Sequence, residues 1–248
     1  MNKFLKLNSL GNDFLFFFKK IKKINLFKFC NKKSGILCDQ IFLIKKILFY
    51  NKIINIKIFN NDFSKAFNCG NGIRCLTWYF CKKKIKKIIK IKIRQNYVFS
   101  WEKNNNIYNI YNFFLNKNYL IIKIKKIFLK VFFINIGNNH IVLIIKNLNS
   151  FYLNIIEKVL RIFFCNKINI EFIKIINKNE LFLRIFEKGV NETLSCGSGI
   201  LSSFYILKNI NFNKILKINS LGGSCIVKKK LFLFLIKTNV NFCCKGYI

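Results

Sequence analysis

Short runs of apolar residues, separated by lysine and asparagine, recur along the whole chain. Within these runs the apolar positions either alternate with polar ones or are continuous, which is the pattern of half-buried or fully buried β-strands. Strands are predicted at Ile53 to Phe59, Ile88 to Ile93, Tyr119 to Ile124, Val131 to Ile136, Ile141 to Ile145, Leu181 to Phe186 and Leu231 to Ile236. Strands therefore dominate the predicted structure.

Helices are predicted at two segments, Gly70 to Cys81 and Gly197 to Leu207, with weaker candidates near Asp39 to Tyr50 and Leu153 to Phe164. The first two are apolar on all sides, so each must be buried. A buried helix among many short strands indicates a mostly antiparallel sheet wrapped around a central helix. The predicted fold class is α+β.

An internal repeat divides the chain. IFNNDFSKAFNCGNGI, from Ile58 to Ile73, aligns without gaps on IFEKGVNETLSCGSGI, from Ile185 to Ile200, and each copy reads IF, nine residues, then CG[NS]GI. The two cysteines, Cys69 and Cys196, lie about half the chain length apart, as expected after a gene duplication. The repeat predicts two similar domains, each with one cysteine.

The formal net charge of +36 is a feature that nucleic-acid-binding proteins share. Lys, Asn, Ile and Phe, which dominate the sequence, can all be encoded by A and T alone, so codon usage is a sufficient reason for the lysines. Arginine, which bidentate recognition of bases and phosphates favours, accounts for only four of the 45 basic residues. We therefore predict no specific nucleic-acid partner.

Location and cofactors are predicted by what the sequence lacks. Lysines interrupt each apolar run before the roughly 18 residues that a membrane span needs, and the N-terminal segment has no signal-peptide core. We expect a cytoplasmic protein with no membrane partner and with free thiols. Cys243 and Cys244 with one distant histidine make a poor zinc site, and CG-x-G is not a dinucleotide fingerprint, so no metal or cofactor is predicted.

The repeated Cys-Gly-x-Gly places each cysteine at a helix N-terminus. Unpaired backbone N–H groups and the helix dipole favour a thiolate there, and should lower the cysteine pKa from about 8.5 toward neutrality. The same N–H groups can bind a carboxylate, and the glycines let a ligand approach the backbone. The other eight cysteines are interpreted as apolar filler.

Two such units facing each other would put one sulfur on each side of a bound α-carbon. One thiolate would remove the α-proton while the opposite thiol delivers a proton to the other face, without metal or pyridoxal cofactor. The sequence thus predicts an amino-acid epimerase with Cys69 and Cys196 as acid and base. His140, the only histidine, is a candidate tuner of a nearby thiol, and Glu187, placed before Cys196 as Asn60 is before Cys69, is a candidate site residue.

The sequence resembles the diaminopimelate epimerase family. The resemblance is carried, in the family's order, by LGNDF (Leu10 to Phe14), GILCDQ (Gly35 to Gln40), FNNDFSKAFNCGNGIRC (Phe59 to Cys75), IGNNH (Ile136 to His140), KINIEF (Lys167 to Phe172), FEKGVNETLSCGSG (Phe186 to Gly199) and GGS (Gly222 to Ser224). It implies two pseudo-symmetric domains. The first consists of residues 1–112 and a C-terminal segment, 236–248, that returns to it; the second consists of residues 113–235. It also implies interconversion of LL- and meso-2,6-diaminopimelate for lysine and peptidoglycan synthesis, and leaves a homodimer open.

Position by position, the resemblance implies that Cys69 and Cys196 are catalytic and that His140 and Glu187 tune the thiols. The implied substrate contacts are Asn12, Gln40, Asn60, Asn138, Asn169, Glu187 and Lys188, with backbone N–H cradles at Gly70, Asn71, Gly197 and Ser198. Five residues depart from the family pattern: Lys188 for arginine, Ser198 for threonine, Asn139 for proline, and Phe63 and Glu171 for glycine. Lysine lacks the planar fork with which arginine holds a carboxylate.

Two alternatives stay open at this point. One is a different racemase of the same two-cysteine fold, such as a proline racemase-like protein or an isomerase lacking one cysteine. LGNDF and the contacts to the distal group of the substrate argue against it. The other, from a different class, is a basic nucleic-acid-binding protein or a decayed enzyme kept for binding. A salt-dependent affinity that survives the loss of both cysteines would favour the second.

Overall fold

The structure is a computed structural model that describes residues 2–19, 21, 30, 35–48, 53–66, 68–84, 88–93, 96–112, 117–124, 127–165, 168–208, 213–230 and 233–247. In these ranges the helices are α1 (Gly70–Lys82), α2 (Ser150–Phe163) and α3 (Gly197–Lys208). The strands are β1 (Lys3–Ser9), β2 (Asn12–Phe17), β3 (Gln40–Leu48), β4 (Ile53–Asn60), β5 (Lys65–Ala66), β6 (Ile88–Ile93), β7 (Asn96–Lys103), β8 (Asn106–Asn112), β9 (Lys117–Ile124), β10 (Ile127–Asn135), β11 (Asn139–Ile144), β12 (Asn169–Asn177), β13 (Glu180–Phe186), β14 (Glu192–Thr193), β15 (Ile215–Ser220), β16 (Gly223–Lys230), β17 (Leu233–Thr238) and β18 (Asn241–Tyr247).

The chain divides into two compact units. The first unit comprises Met1–Tyr111 and Ile236–Ile248, and the second comprises Asn112–Leu235. Each contains one of the two cysteine-headed helices, α1 in the first and α3 in the second.

Strand pairing is the same in both units. In the first, β2 is antiparallel to β1 and parallel to β3, and β4 is antiparallel to β3 and β5 and parallel to β6. In the second, β11 is antiparallel to β10 and parallel to β12, and β13 is antiparallel to β12 and β14 and parallel to β15. Strands β2, β3, β4 and β6 therefore correspond to β11, β12, β13 and β15, and the two units are pseudo-symmetric.

The cysteine-headed helices form the centre of each unit, and both are largely buried. α1 packs on β1, β2, β6 and β7, and its Ile73, Leu76 and Phe80 are buried. α3 packs on β11, β12 and β13, with Ile200 and Phe204 buried. The expectation that the first helix is apolar on all sides is wrong in detail, because α1 also buries the polar side chains of Asn71, Arg74 and Thr77.

Helix α2 covers the other face of the second sheet. Its Leu153, Ile156 and Leu160 are buried in one cluster with residues of β11 and β12, among them Ile170 and Phe172. Because successive residues of a strand point to opposite faces, Ile170 and Phe172 face α2 and Glu171 between them faces the opposite side.

The α+β class and the helices at Gly70, at Gly197 and near Leu153 are confirmed. The weak helix prediction near Asp39 to Tyr50 is wrong, because Gln40–Leu48 is a strand. This segment pairs in parallel with β2 and antiparallel with β4, and long-range pairing of its isoleucines outweighs local pattern. The predicted strands are confirmed, Ile88 to Ile93 with the same ends and the others with ends shifted by a few residues. Residues 231–232 of the last predicted strand and residues 49–50 of the wrong helix lie outside the described residues.

Candidate functional site

Cys69 is the N-cap of α1. Its backbone is extended, with φ −154° and ψ 100°, and its Sγ accepts a hydrogen bond from the Gly72 N–H at 3.4 Å. The first helical bond runs from Ile73 N to the Cys69 carbonyl, 3.0 Å. The sulfur therefore takes the place that a Ser or Asp oxygen occupies at an ordinary N-cap.

Buried polar side chains hold this helix terminus. Asn109 donates from Nδ2 to the Gly70 carbonyl at 3.0 Å, and Ser100 donates to Asn109 Oδ1 at 2.6 Å. Asn71 is also buried, and its Oδ1 accepts from Arg74. Sequence reasoning missed Asn109 and Ser100, since a lone Ser and Asn in two strands give no signal until β7 and β8 pair.

The predicted polar contacts of the first unit lie partly together. Gln40 and Asn60 are opposite each other in β3 and β4, and Gln40 Nε2 donates to Asn60 Oδ1 at 2.8 Å. Asn60 Nδ2 donates in turn to Ser64 Oγ at 2.8 Å. Asn12 begins β2 after a tight turn in which Leu10 and Gly11 both have positive φ. The turn is the two-residue type that right-twisted hairpins favour.

Phe63 occupies a left-handed conformation, with φ 64°. Its N–H donates to the Asn60 carbonyl at 2.9 Å, so the loop that carries Asn60 depends on this conformation. A residue with a Cβ is disfavoured there by about 1–2 kcal/mol. This is the physical reason why glycine suits the position.

Gly72, three residues after Cys69, faces the hydrophobic core. A Cβ at this position would lie 2.1 Å from Cζ of Phe42 and 3.1 Å from Cδ1 of Phe14. The prediction that glycines after the cysteine admit a ligand is therefore wrong for Gly72. This glycine admits a core phenylalanine ring.

Cys196 occupies the same place in the second unit. Its carbonyl accepts from Ile200 N at 2.9 Å, its Sγ lies 3.1 Å from Oγ of Ser198, and it accepts from the Gly199 N–H. Each cysteine thus uses the N–H of the glycine three residues further on. The duplication seen in sequence is a duplication of this contact.

Glu187 is a close neighbour of the second sulfur. Its carboxylate accepts from Oγ1 of Thr193 at 2.8 Å and is hydrogen-bonded to Cys196. Burial raises the pKa of Glu187, an effect that these two hydrogen bonds oppose. The side chain is half-buried at the surface of the unit.

Burial and then the charge of Glu187 raise the pKa of Cys196 well above its ordinary value. Hydrogen bonds from Ser198 and from the Gly199 N–H act in the opposite direction but do not outweigh them. The expected lowering toward neutrality is therefore wrong in direction for Cys196. The helix terminus does favour the thiolate, but desolvation and a neighbouring carboxylate exceed that effect.

The remaining predicted residues of the second unit cluster around the starts of β11 and β12. Asn169 is buried, accepts the backbone N–H of Lys188 at 2.8 Å, and donates to the Asn139 carbonyl at 3.1 Å. His140 is fully buried and its Nε2 lies 3.1 Å from Oδ1 of Asn138. Lys188 is exposed.

Glu171 is a member of this cluster that sequence reasoning did not select. It is fully buried, and its Oε1 lies 2.7 Å from Nδ1 of His140. A Cβ on Gly199 would lie 2.8 Å from the same oxygen, so the second glycine of CGSG admits Glu171 rather than a ligand. The glycine prediction is wrong here too. The other oxygen, Oε2, has no hydrogen-bond partner among the described residues.

Within the described residues, no three His, Cys, Asp or Glu side chains are grouped as a metal site would require. No helix in that part of the chain is long and apolar enough to cross a membrane.

Two solved structures illustrate which known proteins share this architecture. A probable proline racemase from Agrobacterium radiobacter K84 superposes with a TM-score of 0.73 at 10% identity, covering 100% of this chain and 93% of the other. A PhzF-family phenazine biosynthesis protein from Enterococcus faecalis gives 0.72 at 12% identity, with 100% and 99% covered. At such low identity the likeness shows the fold alone.

Sequence comparison shows the family. A profile described as diaminopimelate epimerase matches residues 132–230. The diaminopimelate epimerase of Wigglesworthia glossinidia brevipalpis is 34% identical over 262 residues, which covers 91% of each chain. That of Buchnera aphidicola subsp. Baizongia pistaciae is 29% identical and covers 90% of this chain and 89% of its own. The chain belongs to the diaminopimelate epimerase family and is an isomerase.

Proposed function

We propose that this protein interconverts LL- and meso-2,6-diaminopimelate by moving one α-proton between two thiols, Cys69 and Cys196. The observation that carries the proposal is the duplicated sulfur contact: each sulfur lies at the start of a buried helix and accepts the N–H of the glycine three residues later. The names of the relatives support the substrate. Lysine and peptidoglycan precursor synthesis in the cytoplasm would be its setting.

In the proposed reaction, the thiolate of one cysteine takes the proton from the α-carbon. The electron pair left on that carbon is delocalised into the substrate carboxylate, which the N–H groups at Gly70 and Asn71 or at Gly197 and Ser198 stabilise. The thiol of the other cysteine delivers its proton to the opposite face, and the stereocentre is inverted. Neither a metal nor pyridoxal phosphate takes part.

The raised pKa of Cys196 bears on the form in which this thiol rests. With burial and Glu187 opposing ionisation, Cys196 rests as a thiol and is ready to act as the acid. Glu187 is hydrogen-bonded to it and is the group that takes its proton when Cys196 must act as the base. The substrate's distal groups would be held by Asn12, Gln40, Asn60, Asn138, Asn169 and Lys188.

The test uses purified, reduced protein and measures the conversion of LL-diaminopimelate to the meso form by chiral chromatography. Cys69→Ala and Cys196→Ala are each expected to abolish conversion, while Cys165→Ala, at an exposed cysteine outside the proposed site, serves as the matched control and keeps full activity. Retained conversion in either of the first two variants would reject the proposal. Conversion of proline or hydroxyproline in place of diaminopimelate would reject the substrate alone.

A further inference from the structure

One pair of buried positions near each cysteine-headed helix carries different residue types in the two units. In the first unit, Phe14 in β2 and Phe42 in β3 form an edge-to-face pair with ring centroids 5.8 Å apart. The parallel registers place Phe14 beside Gln40 and Phe16 beside Phe42, and in the second unit His140 beside Asn169 and Val142 beside Glu171. His140 therefore corresponds to Phe14, and Glu171 to Phe42.

At least one member of each pair lies against the glycine three residues after the cysteine. Phe42 would touch a Cβ on Gly72, and Glu171 would touch a Cβ on Gly199. The first unit shows that two phenylalanines suffice to pack this place in the fold. A buried histidine and carboxylate, in a chain with only nine acidic residues, are therefore not needed for packing.

Hydrogen bonding limits the protonation of His140. Its Nδ1 faces a carboxylate oxygen of Glu171 at 2.7 Å, and its Nε2 faces the amide oxygen of Asn138 at 3.1 Å. An ionised carboxylate and an amide oxygen only accept, and a neutral imidazole has one N–H. Only the doubly protonated ring donates to both.

The burial of the pair also requires a positive charge on His140. The side chains of both His140 and Glu171 are fully shielded from solvent. Glu171 is hydrogen-bonded to His140 through Oε1, and its Oε2 has no partner among the described residues. An ionised carboxylate in such a place requires a cationic partner. Two other titratable groups, Glu187 and Cys196, lie close enough to sense these charges.

We propose that Glu171 is a positioning residue: it holds His140 as an imidazolium whose Nε2–H fixes the side-chain oxygen of Asn138. The amide NH₂ of Asn138 is then left as a donor for a substrate carboxylate. If the ring were neutral and kept its single proton on Nδ1, facing the Glu171 carboxylate, Nε2 would be an acceptor. The amide of Asn138 would then turn over, and its oxygen would repel the substrate carboxylate. This inference rests on the proposed function for the identity of the substrate.

The chain has a single histidine, so ¹⁵N-histidine labelling gives one imidazole whose ring nitrogens can be followed by NMR. An ordinary histidine, with a pKa of about 6.5, is mostly neutral at about pH 7.5. In the wild-type protein at that pH, both nitrogens are expected to carry protons. A ring protonated at one nitrogen would overturn the proposal, whether or not the protein is active.

Kinetics test the second half of the proposal. In Glu171→Gln the amide oxygen is expected to accept from Nδ1–H in place of the carboxylate, which leaves the ring singly protonated and Nε2 without a proton. KM for diaminopimelate should then rise about tenfold, with kcat changed much less, because the hydrogen bond that fixes Asn138 is lost. Asn138→Ala should raise KM similarly, and the double variant should be no worse than Asn138→Ala alone. Effects that multiply in the double variant would overturn it.

The control for folding is His140→Phe with Glu171→Phe, which copies the pair of the first unit. This double variant is expected to fold and to show the same rise in KM. An unchanged KM would overturn the proposal. If the wild-type protein shows no epimerase activity, the proposed function is rejected. The NMR measurement would still decide whether the His140 ring carries one proton or two.

Discussion

Gly72→Ala tests how tightly the first helix terminus is packed. The new Cβ would lie 2.1 Å from Cζ and 2.4 Å from Cε2 of Phe42, whereas ordinary contact begins near 3.4 Å. The ring tip must therefore retreat by about 1.3 Å. Phe42 is fully buried and packs against Phe14 and Phe16, with centroids 5.8 Å and 4.9 Å away, so it has little room to do so.

The expected cost follows from two opposing effects. Overpacking a well-filled core costs about 1–3 kcal/mol, and this contact belongs at the upper end. Replacing glycine by alanine in a helix returns up to about 1 kcal/mol. A net loss of about 2 kcal/mol is expected, which lowers the melting temperature by about 4–8 °C in a chain of this size.

The assay is thermal unfolding followed by circular dichroism, with Phe42→Leu and the Phe42→Leu, Gly72→Ala double variant alongside. The smaller side chain makes room for the Cβ, so the double variant should melt close to Phe42→Leu alone. Midpoints are compared because the two units need not unfold together. If Gly72→Ala melts with wild type, or if the two losses add, the packing argument is refuted.

Three further outcomes are expected. Glu187→Gln removes a charge that raises the pKa of Cys196. In the direction of reaction in which Cys196 is the acid, the alkaline limb of the pH–rate profile should therefore move to lower pH. A limb that stays or moves to higher pH would show that Glu187 does not act on this thiol. Arg184→Lys loses the planar guanidinium that donates to Glu192 and to the Leu148 carbonyl. The free energy of unfolding measured by urea titration should fall by about 1–2 kcal/mol. An unchanged midpoint would show that these contacts contribute no net stability. Lys188→Arg restores a planar donor and should lower KM for diaminopimelate about two- to fivefold with kcat unchanged; an unaltered KM would remove Lys188 from the substrate contacts.

The sequence was informative where local chemistry decides the structure. Cys-Gly-x-Gly followed by an apolar run predicted both buried helices, since a cap, small residues and a largely apolar surface are local properties. It was misleading at Gln40–Leu48, where the lysines Lys45 and Lys46 break the apolar alternation and only pairing with β2 and β4 reveals a strand.

The details of the site depended on contacts between distant residues. Glu171 looked like a departure from a glycine position, because its partner His140 is 31 residues away and meets it only through the parallel pairing of β11 and β12. The glycines after each cysteine were assigned to ligand approach, but Gly72 and Gly199 face Phe42 and Glu171. Such assignments require the packing of side chains, which local pattern does not contain.

The central claim is that two thiols share the proton transfer, and the direct test is deuterium incorporation at the α-carbon in D₂O. Wild-type protein is expected to place one solvent deuterium on each inverted α-carbon, starting from either LL- or meso-diaminopimelate. In Cys69→Ala and in Cys196→Ala inversion should disappear, and any deuterium that is incorporated should be found with the configuration unchanged. Inversion that continues in either variant, or that proceeds in wild type without uptake of deuterium, would contradict the account.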